Sequence, residues 1–592
     1  MFYIILNAII GFSQIMHLIR VSFFALTFLF THSLYAEDER RFKVDIQGLQ
    51  YEAVVSENTS LVSKVSGVDE EVLGHHYIGV LDGEGASWVR ASLIDGQWQG
   101  VVSVHNAMHI IQHVGVDIPS GAAAATTDAI MGSMPVTEVD GLQGTCGRGD
   151  GTDTMLDHMG KLSASSGVVG AATAPSPLSA TFAQFCSQEV NGICIIAEVE
   201  IAFDQVFQTV FGVQATAQAM SILNIVDGHY MNDLKISIDA ITVEMLSNDL
   251  FSTSVAASPV LDAGVLLDDI ETKKNNAQIP FITNNNALTH VVTGRDFNGG
   301  TLGVAYLGSV CQANGFSTGT SSIFFNNPTT PNIPLTAIVV AHELAHNLGS
   351  DHDGPGANVL CPASTFIMSP SINPAFNLTN FSSCSRTDIE ATLSALVTPE
   401  LCMDFPVDVS IVENPGNSGA LNANLEFTSA YTATTLNGFK AIDRINLNGT
   451  INTAQGILMA VTANGASCAI GGGGASYACV ITNPPTSFPV MATVRVNANT
   501  TDVVITHIIS EDTADVQEVN SPNNMLASMF NIVNNNVTSN APATPPVTPT
   551  VPVTPTTNTN AAEEEGGGGS HGLIFILLML GLYIHARQQH LN

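Results

Sequence analysis

The run His342-Glu343-Leu344-Ala345-His346, continued by Gly349 and His352, constrains this chain more than any other stretch. On a helix, residues four apart share a face, so the imidazoles of His342 and His346 can meet at one point. Gly349 permits a sharp exit from the helix, and the chain can then return His352 as a third ligand. Three neutral imidazoles are a donor set for one Zn²⁺ whose fourth position stays open to water, as in a catalytic site. Glu343, next to the first ligand, is placed to take a proton from that water and pass it to a leaving amine; the metal supplies Lewis acidity. The supporting helix is legible too. Residues 336–348 are apolar and free of glycine and proline, and Pro334 stands just ahead of them.

Charge narrows the partners. With 17 Lys+Arg against 52 Asp+Glu, the formal net charge is −35. So acidic a surface repels phosphate, which argues against nucleic acid as a partner. At about 150 residues per domain, 592 residues suggest roughly four units, and 45% hydrophobic residues suffice for folded cores. Apolar runs of export type are confined to the ends. Residues 21–30 follow Arg20 and precede Ser33-Leu34-Tyr35-Ala36, the pattern of a signal peptide over 1–36. Near the other end, 542–560 is almost entirely Thr, Pro, Val and Asn, an extended linker. Three glutamates, four glycines at 566–569, an apolar run at 572–584 and Arg587 follow it. This end resembles the Gly-Gly carboxy-terminal sorting tails of Gram-negative exported proteins. That resemblance implies transient membrane anchoring over 571–592, then cleavage near the glycines by a processing protease.

The cysteines number nine, so an oxidising compartment leaves one thiol over. Cys186/Cys194 and Cys468/Cys479 are close in sequence; Cys311, Cys361, Cys384 and Cys402 share one segment; Cys146 stands alone.

The extended histidine motif is that of the metzincins, and Asp353 after the third histidine resembles the adamalysin (reprolysin, ADAM-like) group. Phe366-Ile367-Met368-Ser369-Pro370 resembles the Met-turn, with Met368 beneath the zinc ligands. Phe381-Ser382-Ser383-Cys384-Ser385 and Cys402 resemble the group's carboxy-terminal end. Val292-Thr293-Gly294-Arg295-Asp296-Phe297 and the stretch 303–311 resemble the strands ahead of its active-site helix. The resemblance covers about 194–402. It implies an α/β metzincin catalytic domain, a mixed twisted sheet with long helices. It also implies an edge strand at Gly303, Val304 and Ala305 that pairs with extended protein or peptide substrates, and the disulfides Cys311–Cys402 and Cys361–Cys384. Adamalysins often hold a structural Ca²⁺ as well. Glu198 matches its first ligand, but Ala287 stands at the Asp position and Cys402-Met403-Asp404-Phe405 lacks the Asn, so calcium is not claimed.

Residues 37–145 alternate polar and apolar, a β-rich pattern resembling reprolysin propeptides. Cys146-Gly147-x-x-Asp150 resembles the cysteine switch, whose thiolate takes the fourth zinc position. His75-His76 lacks further ligands at usable spacing and reads as solvated. Residues 147–185, rich in Ala, Ser, Gly and Thr, read as an activation linker cut by another protease or by the enzyme itself. Beyond 405, short β-branched runs split by Asn, Gly and Pro predict an immunoglobulin-like β-sandwich. The expected order is therefore signal peptide 1–36, propeptide with cysteine switch 37–165, catalytic domain 166–404, β-sandwich 405–535, linker 536–570 and sorting tail 571–592. The reading is a latent, exported zinc endopeptidase, found at the cell surface or in the medium. Its rival is a cell-surface adhesin on a protease-like scaffold, which a lost ligand or base would favour; all four residues are present.

Overall fold

The computed structural model describes residues 39–58, 61, 73–105, 107–112, 130–135, 144–146, 182–247, 250–251, 260–327, 330–354, 358–372 and 380–540. The expected signal peptide, most of the activation linker and the Thr/Pro linker with its tail beyond 540 lie outside the described residues.

Seven strands near the amino end close into a barrel: β1 (Arg40–Ile46), β2 (Leu49–Glu57), β3 (His75–Leu81), β4 (Trp88–Ile94), β5 (Gln97–Val104), β6 (Ala107–Gln112) and β7 (Ile130–Pro135). Neighbours run antiparallel except at the closure, where β1 and β7 are parallel. Period-2 patterning supplies the interior: Phe42, Val44, Ala53, Val55, Tyr77, Val89, Ala91 and Val102 fill it. β4 is buried on both faces, because its alternate residues Trp88 and Arg90 turn outward against a neighbouring helix. His76 is not solvated as the sequence suggested. It is buried outside the barrel wall, bonded to Ser92 Oγ and the Leu73 carbonyl at 2.8 Å each.

The next short strand, β8 (Gly144–Cys146), belongs to a different sheet. In the central unit, β9 (Ile195–Phe203) pairs in parallel with β10 (Ile236–Met245) and β11 (Leu288–Thr293). β12 (Thr301–Ala305) runs antiparallel to β13 (Thr318–Ser322), which is parallel to β11. Thus β12 runs antiparallel to the four parallel strands β9, β10, β11 and β13. β8 lies along β12, and β14 (Ser371–Ile372) lies on the far side of β8.

Five helices of seven residues or more complete the unit among the described residues: α1 (Gln205–Phe211), α2 (Ala215–Leu234), α3 (Ala263–Asn275), α4 (Ile333–Asn347) and α5 (Ser383–Ser394). Residues of α2, α4 and the sheet form one buried core. α2 and α4 are buried nearly all round because each is covered on more than one side. The 30-residue apolar stretch 205–234 is long enough to cross a membrane but is mostly buried in this core.

β15 (Met403–Glu413) joins the central unit to the carboxy-terminal one. Its first residues pair with β9, and its later residues pair with β16 (Glu426–Asn437). A single strand therefore runs through the expected boundary at 404/405, and the two units share a sheet rather than meeting at a linker. Phe185, Phe405 and Phe439 pack together at this joint. The carboxy-terminal unit has two sheets around a core of Val409, Tyr431, Leu447, Val490, Ile505 and Phe530, among others. Its last described strand, β17 (Asn536–Ser539), lies within the stretch read as the start of the linker.

Candidate functional site

Each candidate ligand arrives on a defined element. Asn332 caps α4, its side chain accepting from the Leu335 N–H at 2.9 Å, and Pro334 sits in the first turn. Two turns further on, His342 and His346 project from one face, their rings 4.7 Å apart and edge to face. Gly349 has a φ of 108°, and a β-carbon there would overlap Thr392 of α5. Both facts demand glycine at this exit. The chain then reverses and brings His352 Nε2 to 3.1 Å from His346 Nε2 and 3.2 Å from His342 Nε2.

That spacing fits zinc. Nitrogens about 2.0–2.1 Å from a tetrahedral ion stand roughly 3.3 Å from one another. The opposite ring nitrogens are occupied: His342 Nδ1 donates to the Ile367 carbonyl and His346 Nδ1 to the Ser350 carbonyl, both at 2.7 Å. These bonds fix the tautomer and aim the Nε2 lone pairs inward. Burial, reinforced by His346 and His352, holds His342 well below the ordinary histidine range and so neutral, as a ligand must be.

Glu343 is fully buried beneath the edge strand. A β-carbon on Gly303 would lie 2.6 Å from Glu343 Oε1 and from its Cγ. Val304 and Ala305 continue the strand beside it. Met368 is buried, and its carbonyl accepts from the Asp353 N–H at 2.9 Å, tying the Met segment to the loop that carries His352. Asp353 in turn accepts from Ser382, the cap of α5, at 2.5 Å. Burial pushes Asp353 up to about 6, with Ser382 and Ser385 opposing the shift.

The segment carrying Cys146 lies at the edge strand. In register, Thr145 pairs with Thr301 and Cys146 with Gly303, strand parallel to strand. On the other side Thr145 pairs with Ser371 and Gly144 with Ile372. β8 is thus threaded between the edge strand and the residues just beyond Met368. The disulfides are Cys186–Cys194, Cys311–Cys402, Cys361–Cys384 and Cys468–Cys479, which leaves Cys146 as the ninth cysteine.

Some site residues escaped the sequence. Tyr230 of α2 donates to the Ala341 carbonyl at 2.8 Å, immediately before His342. Burial, then the charge of Glu343, raises its phenol well above the usual range. Asn347 Nδ2 lies 2.9–3.1 Å from the Tyr306 and Thr318 carbonyls and Ser309 Oγ, pinning the end of α4 to the sheet. A polar residue closing an apolar helix was the available signal. Glu198 accepts from Asn284, which also donates to the Leu401 carbonyl. Burial and then Asp404 push Glu198 up to about 7.

Residues 196–382 match the reprolysin profile of metallo-peptidase family M12. The chain carries an M12-type metallopeptidase domain. Over 184 residues it is 34% identical to the zinc metalloproteinase-disintegrin-like kaouthiagin-like of Naja atra, covering 31% of this chain and 28% of that protein. Over 126 residues it is 35% identical to the zinc metalloproteinase-disintegrin-like brevilysin H2a of Gloydius brevicauda, covering 21% and 28%. The chain thus spans little more than a quarter of the length of these relatives. Among solved structures, the collagen-binding domain from a Staphylococcus aureus adhesin aligns at 10% identity over 21% of this chain and 95% of that one. Its TM-score is 0.14, too low to bear on this chain's fold or function.

Proposed function

We propose that the chain is the precursor of an exported, adamalysin-like zinc endopeptidase in which His342, His346 and His352 hold the metal and Glu343 is the general base. The observation that carries this reading is the convergence at zinc spacing of the Nε2 atoms of His342 and His346, on a buried helix that also bears Glu343, with that of His352 just beyond it. When bound, zinc supplies Lewis acidity toward a peptide carbonyl and a water molecule. Glu343 removes a proton from that water and delivers it to the leaving nitrogen. Gly303, Val304 and Ala305 hold an extended protein or peptide substrate through main-chain hydrogen bonds. That β8 already pairs with this edge supports its use by a strand.

The same pairing supports latency. A peptide cannot add to an edge that β8 occupies, and Cys146 is the cysteine the disulfides leave over. Cys146 is proposed as the zinc-capping thiolate, and residues 37–165 as the propeptide. The proposed precursor also carries an immunoglobulin-like sandwich at 405–535, and its signal peptide and sorting tail route it to the cell surface or medium. The test is peptide hydrolysis by protein freed of its propeptide. Chelation should abolish it, and Glu343→Ala should abolish it while zinc stays bound in equimolar amount. Full activity in Glu343→Ala would overturn the mechanism.

A further inference from the structure

Gly228 lies in the interior of α2 without positive φ, where glycine destabilises a helix relative to alanine. Its reason is a neighbour. A β-carbon there would stand 2.7 Å from Arg90 Cγ, 3.1 Å from Arg90 Nε and 3.1 Å from the Trp88 ring. The missing side chain is a slot, and the barrel's Arg90 passes through it. Beyond the slot, Arg90 Nε donates to the Asn224 carbonyl and a terminal nitrogen to Asp227 Oδ2, each at 3.1 Å. Asp227 is held for this by its other oxygen, which accepts from Ser237 Oγ and the Ile238 N–H at 3.0 Å. Asn224 answers the barrel in turn: its amide donates to the Tyr77 and Ala91 carbonyls and its oxygen accepts from Asn58. Arg90 is 5% exposed and Asp227 7%. None of these groups belongs to the zinc site.

We propose that α2 is a docking surface for the barrel, with Gly228 as slot and Arg90 as pin, and that the barrel stays on the metallopeptidase domain as a noncovalent partner after the chain between them is cut. The division of labour follows from the energetics. A buried ion pair roughly cancels its own desolvation, so the pin contributes register rather than net affinity. Affinity comes from the barrel's outer face, where Leu73, Trp88, Val101, Met108 and Ile110 lie in one buried cluster with α2 and α4. Separation would expose both sides of that cluster. A cut within 150–175 leaves β8 on the barrel's fragment, so a retained barrel keeps the edge strand covered.

The test uses the full chain with a site for a sequence-specific protease placed within 150–175, cut after folding and followed by gel filtration on dilution. The wild-type fragments should co-elute. Arg90→Ala, which leaves Asp227 buried and unpaired, should weaken retention by about thirtyfold or more, and Arg90→Lys less. Gly228→Ala should lose the barrel while the melting temperature of the separated metallopeptidase fragment holds or rises, because alanine suits the helix better. A merely structural glycine would not give those opposite signs. If Gly228→Ala does not fold, Arg90→Ala decides, since it leaves α2 unaltered. Wild-type fragments that separate at micromolar concentration on cutting, or variants that hold the barrel as firmly as wild type, would overturn the proposal. Retention is read by co-elution and does not rest on peptidase activity.

Discussion

At Gly303 the edge strand passes so close over Glu343 that only hydrogen fits between them. Gly303→Ala must therefore push the carboxylate aside or bow the strand outward. A displacement on the order of 1 Å at a reacting group can lower turnover about a hundredfold. We expect kcat to fall by about that factor with zinc content unchanged, as metal analysis beside steady-state kinetics would show. Equal turnover with a raised KM would instead mean that Gly303 serves only substrate pairing. Gly349 is constrained twice, by its φ and by Thr392. Gly349→Ala should displace His352 and weaken zinc retention, measured by metal loss against a competing chelator.

Among the elements, the loop between His352 and α5 is fastened by Cys361–Cys384, which closes a loop of 23 residues. The double substitution Cys361→Ser/Cys384→Ser should cost about 2–4 kcal/mol in chemical unfolding. It should also loosen the segment that carries Met368. Glu518 offers a pH test at the joint between the central and carboxy-terminal units. It accepts from the Val409 and Asn520 N–H groups, yet burial pushes it up to about 7, with Asp408 and Glu511 adding to the shift. A carboxyl whose folded pKa is raised binds its proton more tightly when folded. Its contribution is therefore fully present below the ordinary glutamate range and is lost as pH rises through about 7. Thermal stability should fall between about pH 4.5 and pH 7, and Glu518→Gln should flatten that slope. An unchanged slope in Glu518→Gln would assign the dependence to other groups.

Over the whole molecule, β15 ties the metallopeptidase domain to the carboxy-terminal unit through one strand, and α2 ties it to the barrel. On the proposed function, Cys146→Ala precursor should hydrolyse peptide faster than wild-type precursor. Activity should stay below that of protein freed of its propeptide, because β8 still pairs with the edge strand through its backbone. Assay of the uncut precursors decides this: equal latency in both would place the block in the strand alone.

The convergence of His342, His346 and His352 was legible because three imidazoles that meet at one point from a helix and its exit need fixed spacings of four and then six residues. The outward role of Arg90 was not legible. In sequence it is one polar residue in an alternating strand, and Gly228 is an unfavoured residue in a helix; only folding brings the two together. The same holds for His76, for Asn347, and for Gly303 over Glu343. Local spacing thus determined the chemistry on offer, since those contacts lie within one helix and its exit. Tertiary structure alone decided what covers that chemistry, because strand pairing and helix docking join residues tens to hundreds of positions apart.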